Sequence, residues 1–116
     1  MITISNIRYN PKGEYIGREN STFGVKKSPL ANPFPLKRES DRDDVIEKYR
    51  LWLADNLCSE NRLRFPPALS VKNEIERLKI IYKEKGELNL VCWCFPRRCH
   101  GEVIRDEILK EREIKE

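Results

Sequence analysis

Thiols and imidazole are the side chains best suited to bind a metal or attack an electrophile near neutral pH. Three of the four cysteines and the only histidine of this chain lie within nine residues, Cys92-Trp93-Cys94-Phe95-Pro96-Arg97-Arg98-Cys99-His100. The block falls where an apolar run, Leu88 to Cys94, gives way to a helical pattern opening at Gly101. Alternate residues of a strand share a face, so Cys92 and Cys94 are expected to point one way and Trp93 the other, into the core. Pro96 ends the strand, and Cys99-His100-Gly101 forms the entry to a helix. A helix start offers unpaired N–H groups and a positive dipole end, which attract anions and favour a nearby thiolate. Arg97 and Arg98 add two positive charges at the same place.

Three chemistries are open to such a block. In the first it is an anion or nucleotide pocket, with charge supplied by Arg97, Arg98 and the helix start at Gly101. If that pocket catalyses, Cys99 is the candidate nucleophile and His100 the candidate acid/base, because that pair has the helix-start environment. In the second, Cys92, Cys94, Cys99 and His100 hold zinc. The set is complete in type, but the common fingers use ligand pairs on two separate segments, and adjacent Cys99 and His100 reach one ion with difficulty. In the third, Cys92 and Cys94 are small buried hydrophobes and His100 a helix cap. Two enzyme templates are excluded. His100-Gly101-Glu102 has the His-x-Glu form of zinc nucleobase deaminases, but nothing after it supplies their Pro-Cys-x-x-Cys. Cys92 and Cys94 are also too close for a Cys-x-x-Cys redox pair. Cys58 stands apart and reads as a half-buried small residue.

A second group lies near the N-terminus. Gly17 ends the segment Glu14-Tyr15-Ile16-Gly17 and permits close backbone approach to a ligand, while Arg18 is suited to gripping a carboxylate or phosphate. In Asn32-Pro33-Phe34-Pro35 the two prolines fix the chain around Phe34, which either plugs the core or stacks on a base; burial is the commoner fate of an aromatic. Asn32 bonds backbone or a base edge. Arg42 reads as a solvated charge with an anion contact as the alternative.

The elements that must position these groups follow from periodicity and turn chemistry. Ile2, Ile4 and Ile7 suggest a first strand, Asn10-Pro11-Lys12-Gly13 a turn, and residues 14–17 a second strand, together a candidate hairpin. Residues 18–40, with Pro29, Pro33 and Pro35, read as a long irregular loop. Ser40 or Asp41 caps a helix carrying Val45, Ile46, Tyr49, Trp52 and Leu53 and ending near Leu57. Residues 58–70 read as a connector, and Val71 to Glu84 as a second helix stopped by Lys85-Gly86. Leu88 to Cys94 is a buried strand, and Gly101 to about Lys115 a third helix whose charged end, 110–116, frays. This order predicts one α/β domain over 1–116, a small sandwich with about three or four strands flanked by about three helices. The cluster then falls at a strand's carboxyl end, where open α/β sheets bind ligands.

Composition bounds the partners. Charged residues make up 36% and apolar ones 39%, so the core is small and the surface heavily solvated. The 23 basic and 19 acidic residues nearly balance and interleave along the helices, which argues for solvated faces rather than a nucleic-acid surface. No run approaches membrane-spanning length, and residues 1–8 lack the form of a signal peptide, so no membrane partner and a cytoplasmic location are expected. In a reducing cytosol, free thiols or metal ligands are favoured over disulfides.

Tyr15-Ile16-Gly17-Arg18, Asn32-Pro33-Phe34, the helix Asp44-Val45-Ile46-Glu47-Lys48-Tyr49-Arg50-Leu51-Trp52-Leu53 and the block from Cys92 to Gly101 together resemble the family catalogued as domain of unknown function 4326, found in bacteria and widely in their phages. The resemblance runs from about Tyr15 to Leu109. The family often has Gly-Asn-Pro-Phe where this chain has Ala31-Asn32-Pro33-Phe34, and the connector at 58–70 is expanded here. The resemblance implies a compact α/β domain, in host cytoplasm if phage-encoded, and no established reaction. The expectation is a domain binding a nucleotide or other phosphorylated ligand through Gly17, Arg18, Asn32, Phe34, Cys94, Arg97 and Gly101, with no resident cofactor. The alternative is a non-enzymatic module that binds a host protein, its Cys/His cluster structural and with or without zinc.

Overall fold

The computed structural model describes residues 1–10, 12–58, 66–93 and 97–114. Along the chain run β1 (Ile2–Asn6), β2 (Glu14–Tyr15), α1 (Arg42–Leu57), α2 (Pro66–Lys85), β3 (Leu88–Cys92) and α3 (Gly101–Ile114), with short 3-10 turns at Ser21–Phe23 and Glu39–Asp41. The expected mixed α/β domain forms, with three strands and three helices among the described residues. Cys94, the end of the predicted last strand, most of the predicted connector (59–65), and Lys115 and Glu116 lie outside the described residues.

The three strands are parallel in the order β1-β3-β2. Ile2 stands opposite Leu88 and Asn6 opposite Cys92, while Glu14 and Tyr15 stand opposite Leu90 and Val91. The expected hairpin of the first two segments is therefore not formed. The apolar run of β3 suits a central strand bonded on both sides, and it inserts between the two N-terminal segments.

The helices bury stripes set by the 3.6-residue period: Val45, Ile46, Tyr49 and Leu53 on α1, Val71, Ile75 and Leu78 on α2, Val103, Ile104 and Ile108 on α3. All of these except Val45 join Leu88, Leu90 and Cys92 in one buried cluster. On the other sheet face, which also carries the buried Val91, the Thr3 and Ser5 hydroxyls donate to Asn89 Oδ1 at 3.1 and 2.7 Å. Helix α2 begins at Pro66, five residues before the expected start at Val71. Proline fits a first helical turn because its missing N–H has no partner to lose there. No side chain caps α1: Asp41 holds helical backbone angles at its N-cap and leads in from the preceding 3-10 turn. Gly86 stops α2 as expected, with φ 74° and its N–H donated to the Tyr82 carbonyl at 2.8 Å.

Parallel pairing places the carboxyl ends of all three strands at one edge, beside Asn6, Tyr15 and Cys92. Trp93, expected in the core, sits half-buried beyond the end of β3. Phe23 meets its ring edge-on at 5.0 Å between centroids, and the Arg8 guanidinium lies 5.3 Å from its centre. Among the described residues, no helix is long and apolar enough to cross a membrane.

Candidate ligand cavity

A cavity of about 320 Å³ opens at the carboxyl edge of the sheet. One wall comes from the chain after β2, one from the start of α1, and one from Cys92, Trp93 and the entry to α3. Gly17, Arg18, Asn32, Phe34, Cys99 and His100, six of the residues singled out by type and spacing, all line it.

The stretch 18–40 is ordered by its own polar groups. Gly17 accepts the Ser28 N–H at 2.9 Å through its carbonyl. Arg18 donates from Nε and Nη2 to the Asn32 carbonyl at 3.0 and 2.9 Å, and Asn32 Oδ1 accepts the Phe34 N–H at 2.8 Å. This last bond is an Asx turn, which aims the half-buried Phe34 ring at the core rim and the cavity together. Tyr49, deep in α1, donates its hydroxyl to the Leu30 carbonyl at 2.7 Å and pins the loop to the core. A Cβ on Gly17 would lie 2.6 Å from the Tyr15 hydroxyl, so the missing side chain lets the tyrosine cross over it. A broader groove of about 980 Å³ also has Arg18 and Asn32 in its wall, together with Lys27 and Trp52.

The thiols and the imidazole form the floor. Cys92 Sγ and Cys99 Sγ are 3.4 Å apart, and the Gly101 N–H donates to Cys99 Sγ at 3.3 Å. His100 Nε2 bonds the Ile16 carbonyl at 2.7 Å, and the imidazole meets the Tyr49 ring edge-on at 4.9 Å. A carbonyl only accepts, so Nε2 carries the proton and Nδ1 is bare in the neutral ring. Relative exposures are 1% for Cys92, 4% for Cys99 and 7% for His100. Burial holds the His100 pKa below its ordinary value, with the Arg18 charge adding to the effect against the opposing bond to Ile16. Burial likewise pushes the Tyr49 phenol far up, so it stays a donor. Cys99 and His100, the candidate catalytic pair, thus face different partners: Cys92 and Gly101 for the thiol, Ile16 for the ring.

The arginines are redistributed. Arg97 does not line the cavity and bridges to Glu39 at 3.0 Å. Arg98 pairs with Asp43 at 2.6 Å and Glu102 at 3.2 Å. Arg42, expected in solvent, is only 13% exposed; it grips both oxygens of Glu39 at 2.9 and 2.6 Å and donates to the Arg98 carbonyl at 2.6 Å. Those bonds hold the Glu39 carboxyl below the usual carboxylate range. Of the three cavity arginines, Arg18 alone has no carboxylate partner among the described residues. Gly101 is not in the lining: its N–H is taken by Cys99, and an added Cβ would stand 3.2 Å from both Cys99 Sγ and Ile16 Cδ1. It closes the packing of α3 on the sheet.

Strand alternation pairs Cys92 with Cys94, and the sequence joins Cys92 to Cys99 only as members of a four-ligand zinc set; their direct contact at 3.4 Å is a product of the tertiary fold. Cys58, expected half-buried, is exposed at the end of α1. Among the described residues no group of three or more His, Cys, Asp and Glu side chains is placed to hold a metal ion. A family model described as Domain of unknown function (DUF4326) matches residues 3–110, which extends the resemblance back through β1. Neither a curated protein nor a solved structure matches the chain.

Proposed function

The chain belongs to DUF4326, a domain of unknown function, and from the geometry of its cavity we propose that it binds a small phosphorylated ligand, most simply a single nucleotide. One observation carries this reading: Gly17, Arg18, Asn32, Phe34, Cys99 and His100 converge on one cavity at the carboxyl edge of a parallel sheet. Arg18 supplies the charge. Its bonds to Asn32 use one hydrogen each from Nε and Nη2, which leaves guanidinium donors for a phosphate. Phe34 offers a half-buried ring against which a base can stack. A volume of about 320 Å³ is at the lower end for small-molecule sites and suits one nucleotide better than a dinucleotide.

The burial of Cys99 and His100 and their bonds to Gly101 and Ile16 support positioning roles for both. This is therefore a reading of binding, with no reaction attached. The second reading, a non-enzymatic module for a host protein, is favoured by Leu51 and Ile80, which stand 64% and 56% exposed on α1 and α2.

The test is a thermal-shift and calorimetric screen of nucleoside mono-, di- and triphosphates, with native mass spectrometry of the protein as purified. The binding reading expects at least one nucleotide to raise the melting temperature. If none does and no nucleotide is retained, the binding reading is wrong and the protein-partner reading takes its place.

A further inference from the structure

We propose that Cys92 and Cys99 are a redox-active dithiol, which hydrogen peroxide converts to an intramolecular disulfide. The two sulfurs are already in contact at 3.4 Å, and both side chains line the cavity. Each is fixed by its element. Cys92 is the last residue of β3, opposite Asn6, and Cys99 is held against Gly101 at the entry to α3. A disulfide needs an S–S bond of about 2.05 Å, so bond formation brings the two sulfurs about 1.4 Å closer.

Burial selects the oxidant. With exposures of 1% and 4%, the sulfurs are reached through a cavity of about 320 Å³, which admits a peroxide far more readily than a bulky disulfide. Cys99 is the sulfur that attacks first, because the Gly101 N–H at the first turn of α3 faces it and favours negative charge there. The thiol gives its proton to water, and its sulfur attacks one peroxide oxygen. The O–O bond breaks, leaving Cys99 as a sulfenic acid, and the departing hydroxide takes up a proton to become water. Cys92 then attacks the Cys99 sulfur as it loses its own proton. The S–O bond breaks, and the second oxygen leaves as water. Two thiols and one peroxide become one disulfide and two waters, the cysteines losing two electrons and the peroxide gaining two. The inference is independent of which ligand the cavity holds.

The experiment treats the reduced full-length protein with hydrogen peroxide, blocks remaining thiols, and maps tryptic peptides without reduction. Cleavage after Arg97 and Arg98 separates Gly86–Arg97, which carries Cys92 and Cys94, from Cys99–Arg105. The expected result is a protein lighter by two hydrogens, with these two peptides joined in the wild type and in Cys94→Ala but not in Cys92→Ala. In Cys94→Ala the first peptide holds one cysteine, so the joined pair identifies the bond even if Cys92→Ala fails to fold. Loss of the crosslink in Cys94→Ala, or its persistence in a folded Cys92→Ala, overturns the proposal. So does a pair left reduced, or Cys99 driven to the sulfonic acid, at peroxide levels that oxidise exposed Cys58.

Discussion

His100 Nε2 donates to the carbonyl of Ile16 over 2.7 Å, joining the start of α3 to the end of β2 across 84 residues of sequence. The ring is buried, so the bond is made by a neutral imidazole. A proton added there would place a charge beneath the cavity and beside the Arg18 charge, which already opposes it.

Acid should therefore weaken the fold through this residue. Burial lowers the folded-state pKa below the ordinary 6.5, so between the two values the unfolded chain binds more protons than the folded one. Stability from His100 is fully present above 6.5 and is lost as the pH falls through 6.5 toward the lowered value. In His100→Gln the amide keeps a donor for Ile16 without the titration. Urea midpoints measured from neutral pH downward should slope in the wild type and flatten over that window in the variant. Equal slopes in both would remove His100 as the cause.

Tyr49→Phe deletes one oxygen and leaves the buried Leu30 carbonyl without its 2.7 Å donor. The expected loss is about 1–3 kcal/mol, the cost of an unsatisfied buried acceptor. Because Leu30 anchors the stretch that carries Asn32 and Phe34, amide exchange across 28–34 should also accelerate. A denaturation midpoint matching the wild type would show that the loop does not depend on this bond.

Arg18→Gln should separate binding from folding. The side chain is exposed and bonded only to a carbonyl among the described residues, so the melting temperature should move little. Affinity for a phosphorylated ligand should fall by roughly tenfold or more, the scale of one charge-assisted hydrogen bond of about 1.5–3 kcal/mol. Calorimetric titration of a nucleotide found in the screen reads this directly. A variant that binds as tightly as the wild type would place the phosphate elsewhere.

Gly13→Ala and Gly24→Ala form a controlled pair, since both glycines have positive φ, 133° and 64°. At Gly13 an added Cβ would meet the Asn89 backbone oxygen at 2.5 Å, whereas at Gly24 it meets open space. Gly24→Ala should cost about 1–2 kcal/mol, the left-handed backbone term alone. Gly13→Ala should cost clearly more, because β2 must move away from β3 to relieve a backbone clash. Comparing the two urea midpoints decides it, and equal losses would mean that β2 shifts freely.

Much of the local structure was legible in the chain. The stripe Val45, Ile46, Tyr49 and Leu53 marks α1, Gly86 marks the end of α2, and the turn from the Cys/His block into Gly101 marks the start of α3, because each rests on interactions a few residues long. Pro66 and Pro67 misled, since a proline pair looks the same in a connector and in a first helical turn. The residue types at the site were also readable: Gly17, Arg18, Asn32, Phe34, Cys99 and His100 reach one cavity.

Sequence alone thus determined the helices, the apolar run of β3 and the identities of the groups with chemistry. Tertiary structure decided the strand order, the contact of Cys92 with Cys99, and which cavity arginine is without a carboxylate partner among the described residues. β2 has two residues and bonds a strand some 75 positions later, so nothing in its own pattern specifies the partner. Arg97 and Arg98 read as free cations in the cysteine block until Glu39 and Asp43 are folded onto them from 58 and 55 residues away. Ion pairing and thiol contact depend on distances of a few ångströms, and only the packing of α1 against α3, and of α3 against the parallel sheet, sets them.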